Sequence, residues 1–455
     1  TSNDRGYSVA VDSSGNVYTA GTFYGTVDFD PGSGTENRTS AGGAAAYLLK
    51  LDSSGNYASV AVFDGSSTDT ADGVAVDSSG NVYVTGGFRN TVDFDPGAGT
   101  DNHTSASVDD LFVLKLDSSG DLVWAKSFVG SSNNEKGEAI AVDSSGNVYV
   151  TGMFSATVDF DPGEGTAELT PVGGNQGFAL KLDSSGDYLW AKQFGLKEGA
   201  ESIAVDSSGN VHITGTFTGT ADFDPGEGTA ELTSGAYNSQ DPYVLKLDSS
   251  GNYLWVKSFT CDSTCASASV AVDSSGNVYT TGYFRNTADF DPGAETAELT
   301  ATDDTDIHVS KLDSSGNYVW ARHFPGSVAS SGRSSHDRGL SIVVDSSGNV
   351  YTTGYFSLTV DFDPGAGTAE LTATGTDSYD DDSDVYVSKL DSSGNYVWAS
   401  NFGGTSDDRG HAVAVDSSGN VYTTGFFAGT TDFDPGAGTT NLTSNGGNEA
   451  FMVRL

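Results

Sequence analysis

The chain of 455 residues carries 62 acidic against 20 basic side chains, a formal charge of −42. Such a surplus repels nucleic-acid phosphates and anionic membrane surfaces, and no apolar run is long enough to span a bilayer, so nucleic-acid binding and membrane insertion are both disfavoured. With 59 Gly, 36% hydrophobic and 18% charged residues, the composition suits short strands joined by tight turns, and no helical periodicity is visible.

The first predicted element spans residues 8 to 23, two β-branched runs joined by Asp12-Ser13-Ser14-Gly15-Asn16, which reads as a hairpin. Sixteen residues after Asp12 comes Asp28-Phe29-Asp30-Pro31-Gly32, and then a second hairpin of the same grammar around Asp52-Ser53-Ser54-Gly55. This unit returns until there are seven copies. The Asp-Ser-Ser-Gly-Asn motif restarts at Asp77, Asp143, Asp206, Asp273, Asp345 and Asp416, and Asp-Phe-Asp-Pro-Gly always follows at the same offset. Trp124, Trp190, Trp255, Trp320 and Trp398 mark the fourth strand of five units, whereas the first has Ser59 there. An internal repeat of this length means that residues 1–455 form one domain of stacked units.

Two hairpins per unit give four antiparallel strands, and seven such units arranged radially predict an all-β, seven-bladed β-propeller with an inserted Asp-Phe-Asp-Pro-Gly hairpin between the second and third strands. Val-Asp-Ser-Ser-Gly-Asn-Val-Tyr-Val-Thr-Gly, whole at residues 76 to 86 and 142 to 152, resembles the SBBP family of seven-bladed propeller repeats and, more distantly, NHL-type blades. That resemblance implies a fold; propellers host binding, scaffolding and catalysis alike. Antiparallel topology puts the Asp-Ser-Ser-Gly turns on one face, and the Asp-Phe-Asp-Pro-Gly segments and every length variation on the other, including Gly326 to Gly339 and the acidic run Asp377 to Asp384. Variable loops on a rigid scaffold are where binding usually sits. Thr1 to Gly6 matches Thr405 to Gly410, and the last residues, Phe451 to Leu455, fall in a third strand. The expectation is therefore a seventh blade without its outermost strand, either because the protein is longer or because a neighbouring chain supplies it.

In Asp-Phe-Asp the carboxylates stand at i and i+2 of an extended segment and so share a face. The second Asp can shape an Asp-Pro-Gly turn; the first has no evident local role. Closing the hairpin sets an acid or amide opposite the first Asp: Asn37, Asn102, Glu168, Glu231, Glu298, Glu370 and Asn441. Oxygen donors of this kind are what Ca²⁺ coordinates. The candidate metal ligands are Asp28 and Asp30, Asp93 and Asp95, Asp159, Asp161 and Glu168, Asp222, Asp224 and Glu231, Asp289, Asp291 and Glu298, Asp361, Asp363 and Glu370, and Asp432 and Asp434. A solvated acidic turn is the bland alternative.

The Asp-Ser-Ser-Gly turns lack the ligand pattern of an EF-hand and read as structural. Lys and Asp in the Lys-Leu-Asp runs are expected to form inter-strand ion pairs. Cys261 and Cys265 are too few for a four-ligand zinc site and are expected to form a disulfide, which would point to an oxidising compartment. The six histidines occupy unlike places in the repeat, and no catalytic motif is present. The sequence thus points to a non-enzymatic extracellular or cell-surface module, structural or adhesive and calcium-stabilised, whose partners are surface or matrix proteins, copies of itself, or polysaccharide. Carbohydrate binding is the alternative, and a polysaccharide-active enzyme the third reading.

Overall fold

A strand built from β-branched, aromatic and small residues can bury both faces only with a layer on either side of it. Val148–Phe154 and Gln176–Leu182 are such strands, buried almost throughout, and they form the middle of a sheet flanked by the half-buried Lys136–Val142 and Tyr188–Phe194. The computed structural model describes residues 3–106, 108–130, 135–195, 199–235, 240–302, 304–327, 336–375 and 382–455. Among them there is no helix, and every pairing between named strands is antiparallel.

Seven sheets of this plan follow one another in the described residues. Their first strands are Arg5–Val11, Thr70–Val76, Lys136–Val142, Ala200–Val205, Cys265–Val272, Arg338–Val344 and Arg409–Val415. Each first strand packs against the next, and Arg409–Val415 packs against Arg5–Val11, so the succession closes on itself. Serine hydroxyls stitch neighbours together: Ser8 Oγ accepts the Val74 N–H at 3.2 Å and Ser341 Oγ that of Val413 at 3.2 Å. The approach is close enough to require glycine, since a Cβ on Gly137 would stand 2.1 Å from Thr85 Oγ1 of the preceding sheet.

The sheets differ in two places. In the first, the second and third strands, Val17–Asp28 and Asn37–Leu51, run on unbroken into the inserted hairpin, which elsewhere forms short strands of its own such as Thr220–Asp222 with Glu231–Thr233. The seventh has three strands, ending with Glu449–Arg454.

The turns explain why Asp-Ser-Ser-Gly-Asn recurs. Asp143 Oδ1 accepts the N–H groups of Ser145 and Asn147 at 2.8 and 3.0 Å, while Oδ2 accepts from the Asn147 amide and the Tyr149 hydroxyl. Gly146 supplies the positive φ of 79° that the turn requires. The second turn of each complete sheet repeats the arrangement, as at Asp183 with Ser185 and Asp187.

Where the first sheet has Ser59 in place of tryptophan, a cavity of about 180 Å³ opens between it and the second sheet, lined by Tyr18, Lys50, Ser59 and Ser118 among others. Filling it should help. Ser59→Trp is expected to stabilise the protein by roughly 0.5–2 kcal/mol, read as a higher urea midpoint at unchanged slope. A lower midpoint would mean that the space is not shaped for an indole.

Candidate cation site and the joints between sheets

Each inserted hairpin stands in the register its spacing implies. Asp159 lies opposite Glu168, Asp222 opposite Glu231, Asp289 opposite Glu298 and Asp361 opposite Glu370. Asp28, Asp93 and Asp432 face Asn37, Asn102 and Asn441. The first Asp nevertheless has a structural task, contrary to the reading of it as locally idle. Asp159 Oδ1 accepts the N–H of Asp161 at 3.0 Å and of Ala167 at 2.7 Å, so it pins both arms of the hairpin. The other six do the same.

Asp161 Oδ1 takes the Gly163 N–H, and a Cβ on Gly165 would stand 2.1 Å from its Oδ2, so the turn wraps the carboxylate closely. Among the described residues no group of three or more His, Cys, Asp or Glu is gathered as a metal centre would need.

The Phe between the two Asp residues is the anchor that the metal reading passed over. Phe160 is 1% exposed and meets Phe154, the last residue of its own second strand, edge-on at 5.7 Å and 88°. Phe128, at the end of the preceding sheet's fourth strand, packs 6.1 Å from it on the other side. The same edge-on pair occurs in all seven copies. Its signal was in the sequence, since Phe never varies in the motif.

A second joint links the opposite faces. Lys181 Nζ donates to the Ser249 carbonyl in the second turn of the next sheet at 3.0 Å, and Trp190 Nε1 donates to the same oxygen at 3.2 Å. Lys50, Lys115, Lys246 and Lys311 reach Ser118, Ser184, Ser314 and Ser392 likewise, and Arg454 of the seventh sheet reaches Ser53 of the first. The ammonium also lies over a second-strand tyrosine, 4.8 Å from the Tyr149 ring for Lys181. The expected Lys–Asp ion pairs are thus replaced by cation–π and carbonyl contacts; Lys246 alone comes within 3.6 Å of a turn carboxylate, Asp206, where His212 stands in for the tyrosine.

A third joint, seen at two places, ties the end of one sheet to the start of the next. Asp69 Oδ2 accepts the N–H of Gly65 at 2.7 Å and Oδ1 that of Arg89 at 2.9 Å; Asp408 repeats this with Gly404 and Ala428. In the fifth sheet, Cys261 and Cys265 occupy the same two positions, four apart, and are joined by a disulfide. The covalent bond takes the place of the buried hydrogen bond. Burial pushes Asp69 up to about 6, Asp408 to about 7 and Glu135 to about 8. The turn carboxylates go the other way: burial raises Asp143, but hydrogen bonds from Asn147, Tyr149 and Ser145 outweigh it and hold the group below its usual range.

The histidines serve unrelated local purposes, His308 bonding the Ala266 carbonyl at 3.0 Å and His411 that of Gly6 at 2.9 Å. Burial takes both down to about 4. The variable segments Gly326 to Gly339 and Asp377 to Asp384 fall largely outside the described residues.

A family model described as a beta-propeller repeat, SBBP, matches residues 123–153 and 397–425. These two stretches match the SBBP repeat. Each SBBP match runs from a fourth strand to the next sheet's second strand. Among curated proteins, an uncharacterized WD repeat-containing protein of Acanthamoeba polyphaga mimivirus is 26% identical over 52% of this chain, which spans 19% of that protein's length. The regulatory protein FlaEY of Caulobacter vibrioides is 30% identical over 23% of the chain and 11% of its own length. Among solved structures, Sqt1 from Chaetomium thermophilum has a TM-score of 0.41 at 13% identity, covering 93% of this chain and 94% of that one. The extracellular domain of a B. thetaiotaomicron one-component system has a TM-score of 0.24 at 11% identity, covering 96% and 60%.

Two measurements test these joints. In calcium-free buffer Asp159→Asn, which keeps the Oδ1 acceptor, should leave stability nearly unchanged, whereas Asp159→Ala should cost about 1–2 kcal/mol in urea unfolding. The raised acids bind protons in the folded chain that the unfolded chain has already released. Their stabilising effect is therefore complete below about pH 4 and lost as pH climbs through 6 to 8, while the lowered turn acids lose theirs below about pH 4. Calorimetry should find a higher melting temperature at pH 5 than at pH 8, with Glu135→Gln reducing the difference.

Proposed function

We propose that the chain is a seven-bladed β-propeller serving as an extracellular structural or adhesive module, without enzymatic activity. The observation that carries this reading is that the same contacts, the Phe pair of the inserted hairpin and the Lys-to-serine-carbonyl joint, recur from sheet to sheet. Seven near-equal units give seven equal sites or none, whereas catalysis needs one place that differs, and the histidines sit in unlike local settings rather than in a shared one. A disulfide suits an oxidising compartment, and the acidic surplus keeps such a module soluble and off anionic surfaces.

Calcium remains attached to this proposal through one feature. Four hairpins set two carboxylates directly opposite each other, an arrangement that is destabilising unless a cation neutralises it. Asp159, Asp161 and Glu168 and their counterparts would supply the oxygens.

Two experiments test the proposal. Titrating chelator-stripped protein with Ca²⁺ should raise the melting temperature, and Glu168→Gln together with Glu231→Gln, Glu298→Gln and Glu370→Gln should abolish most of the rise. A flat response removes calcium from the reading. On a glycan array the protein should stay at background while protein-coated beads cluster; saturable binding to one glycan, lost on changing loops of the variable face, would replace the adhesive reading with a lectin-like one.

A further inference from the structure

At four successive junctions an indole ring is held by the same three contacts. Trp124, Trp190, Trp255 and Trp320 donate Nε1–H to the carbonyls of Ser184, Ser249, Ser314 and Ser392 in the next sheet's second turn, at 3.2–3.4 Å. Each of those oxygens also receives a lysine. The ring lies against the glycine of the same turn, so that a Cβ on Gly186, Gly251, Gly316 or Gly394 would stand 2.9–3.2 Å from the indole Cδ2. On its own sheet it meets a second-strand aromatic ring, as Trp124 meets Tyr83 and Trp190 meets Tyr149 at 6.4 Å.

Between the first and second sheets the same three partners are present and the indole is not. Ser59 pairs with Lys50 in the register in which Trp190 pairs with Lys181. The Ser118 carbonyl receives Lys50 Nζ at 3.1 Å and, among the described residues, no ring N–H. A Cβ on Gly120 would have nothing within 4 Å. Tyr18 lines the resulting space of about 180 Å³, which Leu48 and Pro96 help to wall. Both sheets have all four strands, so the space comes from one short side chain and from no missing element. A carbonyl oxygen has two lone pairs and can take a second donor, and an apolar space of about 150 Å³ is enough to bind a benzene ring.

We propose that this space is a binding site for an indole, as a free small molecule or as the tryptophan side chain of a polypeptide. Three features select that chemistry. The ring must be flat to enter between Tyr18 and Gly120. It must carry an N–H aimed at the Ser118 oxygen. It must be uncharged, because Lys50 already holds the other lone pair of that oxygen and would repel a cation. A plain hydrocarbon ring meets the first and third requirements only. The inference uses the contact of the first sheet with the second and nothing else of the assembly, so it stands or falls apart from the adhesive reading.

Fluorine NMR of 5-fluoroindole added to the 455-residue protein tests the site. The expected result is saturable one-to-one binding at or below about 1 mM. Ser59→Ala leaves the space open and should bind as the native protein does. Ser59→Trp fills it and should weaken binding about tenfold or more, its cooperative urea transition showing that it folds. 5-Fluoro-1-methylindole has the same ring without the N–H and should bind the native protein about three- to tenfold more weakly; this comparison changes nothing in the protein, so folding is not at stake. Competition by N-acetyltryptophanamide distinguishes the sources: if it displaces the probe, the site takes a tryptophan side chain on a polypeptide, and if only free indole does, the site takes the small molecule. Absence of saturation, equal binding of the methylated ring, or binding that survives Ser59→Trp in the folded protein would overturn the proposal.

Discussion

A backbone carbonyl in a tight turn is the point on which the assembly of sheets depends. No single sheet here can stand alone, because its middle strands are apolar on both faces and its neighbours supply both covers. Apolar contact is non-directional, however, and would let one sheet slide on the next. The serine carbonyl that receives both Lys181 Nζ and Trp190 Nε1 removes that freedom. It is presented correctly only because Asp248 holds the turn from inside through the N–H groups of Ser250 and Asn252. A local Asx turn thus sets the register of a long-range contact.

The same economy explains how a chain with so many carboxylates folds. Aspartate acts here mainly as an acceptor for backbone N–H groups: it closes the turns, pins the hairpins and joins one sheet to the next. The charge is spread over structural tasks before any of it is left for ligands.

Much of the architecture was legible in the sequence because repetition reports it directly. Strand pairing, the hairpin register of Asp159 with Glu168 and the structural nature of the Asp-Ser-Ser-Gly turns follow from period and turn chemistry. The joints were not legible, because they lie between units. Lys181 and Ser249 are 68 residues apart, and within one repeat Lys sits beside Asp and invites an ion-pair reading. The role of Phe160 was hidden for a different reason: a lone apolar residue between two acids carries no hydrophobic period, and its contact with Phe128 of the preceding sheet exists only in the fold. The Cys261–Cys265 bond follows from the sequence, but its place does not: it stands where Gly65 and Asp69 meet in another sheet, a junction that forms only on folding.

That exchange of a hydrogen bond for a disulfide bears on how the protein responds to its surroundings. One kind of joint is built in two chemistries. Where it is Asp69 or Asp408, its strength follows the proton activity of the medium; where it is Cys261 and Cys265, it ignores protons and answers to thiols. An acidic niche and a reducing one would therefore act on different seams between the sheets, and neither agent addresses all of them at once.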